Sequence, residues 1–266
     1  MSDVSFRTVA ARPRKGATAS FWRNDPLVAR LKNIVDLNPA ELDGLHRVVE
    51  AEVTIKKRRD LILDGYEYSR LCFVTDGFAA RYKLLRSGKR QIVNFVLPGD
   101  VVGLPGSFLD RAAASVVALT DVRVRSCSLE AFVRLSFHLP KFGLALSWLA
   151  AQEAANYAEH IIDVGRRTPI ERLAHLLLEL HARLAVVKIA EESAFTLPFT
   201  QEMMSDALGL SVPHLNRMLA KLRNEGMIAM SERRVEFLDL KALQQLAQFQ
   251  PLRPARIPVP EEYELD

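Results

Sequence analysis

Cysteine is scarce in this 266-residue chain, which contains only Cys72 and Cys127. An iron-sulphur cluster takes about four cysteine thiolates, and a structural zinc site takes about four closely spaced ligands. The two cysteines lie far apart in the chain, within segments that predict strands. We therefore expect small buried side chains at both positions, and neither a cluster nor a zinc site.

Clustered histidines are also missing. The six histidines include no His-x-His pair, and only His138 borders the region that predicts β-structure. Enzymes on a jelly-roll fold usually hold a metal ion through clustered histidines, so the scatter argues against a jelly-roll metalloenzyme. His175 and His181 have no further ligand at a suitable spacing, and we expect core or solvated side chains there. The sequence therefore predicts no metal site and no catalytic residue.

Long apolar runs are absent as well. The densest apolar segment, residues 144–158, is interrupted by Gln152, Glu153 and Asn156, so it does not predict a membrane span. The N-terminus lacks the apolar core of a signal peptide. We therefore expect a cytoplasmic protein with no membrane partner.

Positive charge is not concentrated enough to identify a nucleic-acid-binding protein by itself. The net charge of +4 and the pI of about 9.1 are compatible with DNA binding. Residues 200–250, however, contain six Lys or Arg and six Asp or Glu. A prediction of DNA binding must therefore rest on a sequence motif.

Residues 200–226 supply such a motif, because they predict two short helices joined by a glycine turn. Thr200 is a good N-cap, Gly209 ends the first helix and Ser211 caps the second. Leu215 and the leucines four and seven residues later mark the buried side of the second helix. This arrangement predicts a helix-turn-helix.

The opposite face of the second helix presents Arg217, the side chain best suited to a bidentate contact with guanine. Two helices around a glycine also form an ordinary αα-hairpin, which can dock a protein partner instead of DNA. The absence of acids on the predicted face of Arg217 and Lys221 argues against that alternative. The predicted DNA-contacting residues are Thr200, Gln201, Ser211, Val212, Pro213, His214, Asn216, Arg217, Lys221, Arg233 and Arg234.

Several runs within residues 197–226 resemble the winged helix-turn-helix of the Crp-Fnr family of bacterial transcription regulators. They are Leu-Pro-Phe-Thr-Gln-Glu, Asp-Ala-Leu-Gly-Leu-Ser, Asn-Arg-Met-Leu and Leu-Arg-Asn-Glu-Gly. The resemblance implies a DNA-binding role. The family usually carries a Glu and often a second Arg early in the recognition helix, where this chain has Val212, Pro213 and His214. The operator sequence therefore cannot be carried over from the family.

Residues 53–127 predict a small antiparallel jelly roll, because short β-rich runs alternate with turns at glycines 65, 77, 88 and 99. The runs that begin at Gly77, Gly88 and Leu97 resemble the β-roll sensor domain of the same family. The resemblance thus extends over about residues 26–250.

Family members that bind cyclic nucleotides use a Gly-Glu pair for the ribose and an Arg-Ser or Arg-Thr pair for the phosphate. The matching positions here are Gly103-Leu104 and Ala114-Ser115, with Arg111 as the only nearby cation. We therefore expect neither a cyclic nucleotide nor an iron-sulphur cluster as the direct signal; a haem on one histidine, or no ligand, stays open. The residues expected around an effector are Gly103, Leu104, Ser107, Ser115, Gln152 and Asn156.

Residues 141–164 predict a long helix with an apolar stripe. In the resembling family this helix packs against its symmetry mate, which implies a homodimer; the alternative is a helix that only covers the β-roll. The residues predicted at the dimer seam are Leu146, Ala150, Ala154, Tyr157 and Ile161.

The sequence thus predicts an α+β protein: an N-terminal antiparallel β-roll, a long dimerisation helix and a C-terminal winged helix-turn-helix. We expect a homodimeric, sequence-specific regulator that recruits or blocks RNA polymerase at an inverted repeat. The predicted segments are a basic tail at 1–25, the β-roll domain at 26–140, the dimerisation helix and hinge at 141–167, the DNA-binding domain at 168–250 and a C-terminal tail at 251–266. The effector, the regulon and the choice between activation and repression are not predicted.

Overall fold

The computed structural model of the protein describes residues 25–104 and 109–253. The predicted tails at 1–25 and 251–266 therefore lie almost entirely outside the described residues. The first elements are the helices α1 (Pro26–Leu31) and α2 (Pro39–Val48), each of which has a proline at its first position. Asp25 caps α1 by accepting a hydrogen bond from Leu27 N at 2.8 Å, and Asn38 forms a capping box with Glu41 at the start of α2.

The β-roll consists of two antiparallel four-stranded sheets. Its strands are β1 (Val53–Ile55), β2 (Asp60–Ile62), β3 (Arg70–Asp76), β4 (Ala79–Leu84), β5 (Arg90–Val96), β6 (Val101–Val102), β7 (Ser115–Ala118) and β8 (Val122–Ser128). The strand orders are β1-β8-β3-β6 and β2-β7-β4-β5. Gly77 makes the turn between β3 and β4 possible, because its φ is 81° and an added Cβ would lie 2.2 Å from the Asp121 carbonyl oxygen.

The two cysteines are buried, as predicted, and they lie on opposite faces of one sheet. Cys72 is opposite Ser126 in the register of β3 and β8, whereas Leu71 is opposite Cys127. Since neighbouring residues of a strand point to opposite faces, the two thiols cannot form a disulfide with each other. Burial is the main cause that raises the pKa of Cys127 to about 12, so this thiol stays protonated.

Two helices follow the β-roll, namely α3 (Leu129–His138) and the long α4 (Pro140–Gly165). Ser128 caps α3 by accepting a hydrogen bond from Ala131 N at 3.1 Å. α4 matches the helix predicted at residues 141–164. Its buried face, which includes Phe142, Ala145 and Leu149, packs on the core formed with α1 to α3.

The C-terminal part contains α5 (Pro169–Val186), α6 (Gln201–Leu208), α7 (Val212–Asn224) and α8 (Leu240–Ala247). Its three-stranded sheet has the order β10-β11-β9, with β9 (Ala194–Thr196), β10 (Ile228–Ser231) and β11 (Arg234–Phe237). A capping box of Thr168 and Glu171 opens α5. Strands β10 and β11 form the hairpin of the wing, and β9, which is too short to show an alternating pattern in the sequence, pairs with β11 as the third strand.

The core of this C-terminal part continues into the β-roll. Phe199, just before α6, stacks on Phe95 of β5 with ring centroids 4.0 Å apart. Arg90 of β5 forms an ion pair with Asp206 of α6 at 2.6 Å. The first helix of the helix-turn-helix is therefore held against the sensor sheet. No helix in the described part of the chain is long and apolar enough to cross a membrane.

Candidate nucleic-acid interface and sensor cavity

The helix-turn-helix forms from local signals that the sequence carries. Thr200 Oγ1 accepts a hydrogen bond from Met203 N at 3.3 Å and caps α6. Gly209 has a φ of 64°, the left-handed conformation that ends the helix. Ser211 stands at the N-cap of α7, as predicted, but its side chain makes no capping hydrogen bond. Ser211 as a whole is exposed.

The outward face of α7 carries the residues predicted to contact DNA. Leu215, Leu219 and Leu222 are buried beneath it and fix the rotation of the helix. Lys221 has an acidic neighbour one helical turn later, since Glu225 Oε1 lies 3.8 Å from its Nζ, so the expectation of a face without acids is wrong at this position. The exposed residues of this set are Ser211, Pro213, Asn216, Arg217 and Lys221, and the half-buried ones are Val212 and His214.

The N-terminus of α6 presents Thr200 and Gln201, which are both exposed. The unpaired backbone N–H groups and the positive end of the helix dipole at such an N-terminus favour a phosphate. In a helix-turn-helix the first helix crosses the DNA backbone while the second enters the major groove. The structure is therefore compatible with the predicted backbone role of these two residues.

The two arginines of the wing differ in their contacts. Arg233 is exposed at the tip between β10 and β11, next to Glu232, whose φ of 52° forms the turn. Arg234 instead makes two hydrogen bonds to the carboxylate of Glu191, each of 2.5 Å. The predicted DNA contact of Arg234 would therefore have to compete with this exposed ion pair to Glu191, a residue far from it in sequence.

The exposed face of α4 is rotated about the helix axis relative to the predicted dimer seam. Leu146 packs on the core of α1 to α3, and Tyr157 turns towards the β-roll, where its hydroxyl bonds to Arg81 and, at 2.8 Å, to Glu153. Ala150 is half-buried, while Ala154 and Ile161 are exposed. The exposed residues at steps of four and three are Ser147, Ala151, Ala154, Ala158 and Ile161. This exposed stripe lies about 60° around the helix from the predicted one, at about 100° per residue.

A cavity of about 320 Å³ lies between the β-roll and α4. Gly103 and Leu104 line it, as predicted, together with Ala114 and Tyr157. Its cations are engaged: Arg81 pairs with Glu153, and Lys83 pairs with Asp64 at 2.7 Å.

Of the six predicted effector residues, only Gly103 and Leu104 are among the described residues that line this cavity. Ser115 is buried, and its Oγ accepts a hydrogen bond from Asp64 N at 3.0 Å, so the prediction that it lines the site is wrong. Ser107 lies outside the described residues.

Gln152 and Asn156 line a second cavity of about 300 Å³ between α1, α4, α5 and residues 249–253. Gln152 Oε1 accepts a hydrogen bond from Arg30 Nη2 at 2.6 Å, and Trp148 lies on the same wall. Asn156 also lines, together with Leu104, a small cavity of about 30 Å³. The predicted effector residues are thus spread over several cavities and do not line a single one. The reason is the orientation of α4, whose rotation could not be fixed from its sequence alone.

A buried polar network joins the β-roll, α4 and α5. His160 of α4 binds the Val93 carbonyl at 2.7 Å and Glu179 of α5 at 2.7 Å. Arg183 donates to Glu179 at 2.8 Å and to Asp100 of the β-roll at 2.5 Å. Burial alone would raise the pKa of Glu179, but His160 and Arg183 lower it to about 2.

Sequence reasoning missed this network. Glu179 and Arg183 are four residues apart on α5, and both are almost fully buried in the leucine-rich face. The sequence did contain a signal for the network, because two charged residues at this spacing lie on an otherwise apolar helix face.

The family comparisons agree with this architecture. The sequence profile of the Crp-like helix-turn-helix domain matches residues 171–246, and that of the cyclic nucleotide-binding domain matches residues 52–138. The nitrogen fixation regulation protein FixK of Bradyrhizobium diazoefficiens is 32% identical over 174 residues, which cover 65% of this chain and 72% of that protein. The fumarate and nitrate reduction regulatory protein of Vibrio cholerae is 26% identical over 92% of this chain and 97% of its own length.

Solved structures show the same fold. The structure of FixK2 from Bradyrhizobium japonicum aligns with a TM-score of 0.67 and 26% identity. The alignment covers 74% of this chain and 96% of FixK2. The relatives named here are regulators, and none is an enzyme.

Proposed function

The chain belongs to the Crp-Fnr family of transcription regulators, and we propose that it acts as a homodimer that reads an inverted-repeat operator. Its DNA-binding element is the helix-turn-helix of α6 and α7. The observation that carries the proposal is the outward face of α7, where Arg217 is exposed and the leucines beneath it are fully buried. This face can enter a major groove without rearrangement of the helix.

Base reading is assigned to Arg217, with Asn216 and His214 beside it. An exposed arginine can bind guanine O6 and N7 at once, and asparagine can bind adenine in the same way. Arg233 at the tip of the wing, and Thr200 and Gln201 at the start of α6, are assigned to phosphates. The site preferences of the protein, selected from a random duplex library, test this assignment, because an unselective protein would contradict it.

Dimerisation is assigned to the exposed stripe of α4. Small residues such as Ala151, Ala154 and Ala158 let two helices approach closely, and Ile161 adds apolar area. Two recognition helices related by a twofold axis must meet the groove about 34–36 Å apart, which requires an inverted repeat. Bound to such a site in the cytoplasm, the protein would recruit RNA polymerase or block it.

We further propose that the direct signal is neither a cyclic nucleotide nor an iron-sulphur cluster. A cyclic phosphate loses water when it enters a β-roll, and a paired cation normally offsets that loss. The position that matches the family's phosphate-binding Arg is Ala114, and Arg81 in the same cavity is already bonded to Glu153 and Tyr157. The cavity therefore favours an apolar or weakly polar molecule.

A further inference from the structure

Four consecutive cations form the turn between β1 and β2. They are Lys56, Lys57, Arg58 and Arg59, and all four are exposed. We refer to these residues as the basic turn. It belongs to the sensor domain and not to the helix-turn-helix.

The backbone of the basic turn is fixed by hydrogen bonds. Lys57 N donates to Asp121 Oδ1 at 2.9 Å, and Arg58 N donates to the Ala118 carbonyl at 2.8 Å. Ala118 N in turn donates to the Arg59 carbonyl at 2.9 Å. Arg58 has a φ of 67°, a left-handed conformation that is uncommon for a residue with a Cβ. The turn thus presents its side chains from a rigid base.

The charge of the basic turn is largely uncompensated. Lys56 forms an ion pair with Asp121 at 2.7 Å. Within the described residues, no carboxylate lies within ion-pair distance of the other three cations. The next residue, Asp60, faces Tyr82 and accepts a hydrogen bond from its hydroxyl at 3.3 Å. The turn therefore has a local excess of positive charge at a fixed position.

The basic turn lies at the end of the β-roll that contacts the start of the helix-turn-helix. Ala118, to which the turn is bonded, is followed by Leu119, whose N–H donates to the Phe78 carbonyl at 2.8 Å. The Phe78 ring contacts the Phe199 ring edge-on at a centroid distance of 5.8 Å. Phe199 directly precedes Thr200, the cap of α6. Only a few direct contacts therefore separate the basic turn from the residues of α6 that are expected to bind phosphate.

We propose that the basic turn binds the phosphates of duplex DNA beside the operator, so that the sensor domain extends the DNA interface. The proposal rests on DNA binding by the helix-turn-helix. Phosphate contacts by lysine and arginine release condensed counterions and strengthen binding without sequence preference. A rigid turn loses little conformational entropy when it makes them.

The test compares a short and a long duplex with the same central site. The site is one that the protein selects from a random library, and the duplexes contain about 24 and about 50 base pairs, roughly two and five helical turns. The parent should bind the long duplex several-fold more tightly. Lys57→Gln/Arg58→Gln should bind the short duplex as the parent does but lose the gain on the long one. Its salt slope on the long duplex should fall by about 0.9 for each lost phosphate contact.

The matched control is Arg47→Gln/Arg134→Gln, which removes the same charge from exposed positions on α2 and α3. Both helices lie at the opposite end of β8, about 20 Å away at about 3.3 Å per residue. The control should keep the gain on the long duplex. Thermal unfolding checks that each variant is folded, and the retained Lys56 and Asp121 keep the turn bonded.

The proposal is overturned if the parent binds both lengths equally, or if the control loses as much as the variant. Unchanged duplex affinity combined with weaker binding to RNA polymerase would overturn it in favour of a protein contact. A parent that prefers no site over scrambled duplex would show that the helix-turn-helix assignment itself fails. That result is visible on the short duplex alone, so the two failures are distinguishable.

Discussion

The aromatic rings of Phe95 and Phe199 stack with centroids 4.0 Å apart and planes 8° apart. Phe95 belongs to strand β5 of the sensor sheet, and Phe199 directly precedes the cap of α6. The two residues thus connect the sensor domain to the helix-turn-helix through one continuous core. A change in the sensor domain near β5 can therefore reach the DNA-binding helices through direct contact.

Phe199→Ala should lower the free energy of unfolding by roughly 3 to 5 kcal/mol, the usual cost of truncating a buried phenylalanine. Urea denaturation followed by tryptophan fluorescence measures it. Phe137→Ala is the matched control, because Phe137 is 80% exposed and should change stability by less than about 0.5 kcal/mol. Similar losses in both variants would contradict the shared core.

Arg217→Ala should weaken binding to the selected site by roughly 1 to 3 kcal/mol and relax preference at one base pair per half-site. Arg233→Ala should weaken binding to all duplexes alike, since it is assigned to phosphate. Titrations on selected and scrambled duplexes separate the two effects. An equal loss on both duplexes for Arg217→Ala would remove it from base reading.

Ala154→Glu should dissociate the dimer, because it places a carboxylate without a partner at the centre of the exposed stripe of α4. Sedimentation velocity at a series of concentrations measures the shift towards monomer. Ala154→Ser is the matched control, since it keeps the small size and should leave the dimer intact. If the glutamate variant stays as dimeric as the parent, the stripe is not the interface.

The free energy of unfolding should depend on pH through His160 and Glu179. The pKa of Glu179 is lowered from 4.5 to about 2, so its contribution is present above pH 4.5 and is lost as the pH falls towards 2. Burial alone would lower the pKa of His160, but Glu179 raises it above 6.5. The contribution of His160 is therefore complete below pH 6.5 and is lost as the pH rises through the raised value.

His160→Gln should accordingly lower the free energy of unfolding most between about pH 4.5 and pH 6.5. The decrease there should be on the order of 1 to 3 kcal/mol, and it should be smaller outside that window. Urea denaturation of parent and variant across the pH range measures the difference. The control His138→Gln alters an exposed histidine whose Nδ1 contacts the Arg134 carbonyl, and its effect should be small at every pH. A loss of stability in His160→Gln that does not vary with pH would show that His160 and Glu179 do not form an ion pair.

The helix ends were predictable because their signals are local. Asn38, Thr168 and Thr200 each precede a helix and cap it within three residues. The rotation of α4 was not predictable, since apolar residues occur on several of its faces and the Tyr157–Arg81 contact joins positions far apart in sequence. The pairing of Arg234 with Glu191 is non-local in the same way, and an exposed arginine at a turn carries no sign of it.

The sensor cavity should not take cyclic AMP or cyclic GMP at micromolar concentration. Leu104 stands where the family uses a glutamate for the ribose, Ala114 stands where it uses an arginine for the phosphate, and Arg81 is bonded to Glu153. A nucleotide phosphate in this cavity would lose its water without gaining a free cation, which is unfavourable by several kcal/mol. Isothermal titration calorimetry with each nucleotide should therefore show no binding heat. A visible absorption spectrum of protein purified without oxygen should likewise show no iron-sulphur band, because the two thiols lie on opposite faces of one sheet. Micromolar nucleotide binding that changes DNA affinity, or a cluster band, would contradict the prediction and identify this cavity or these thiols as the sensor.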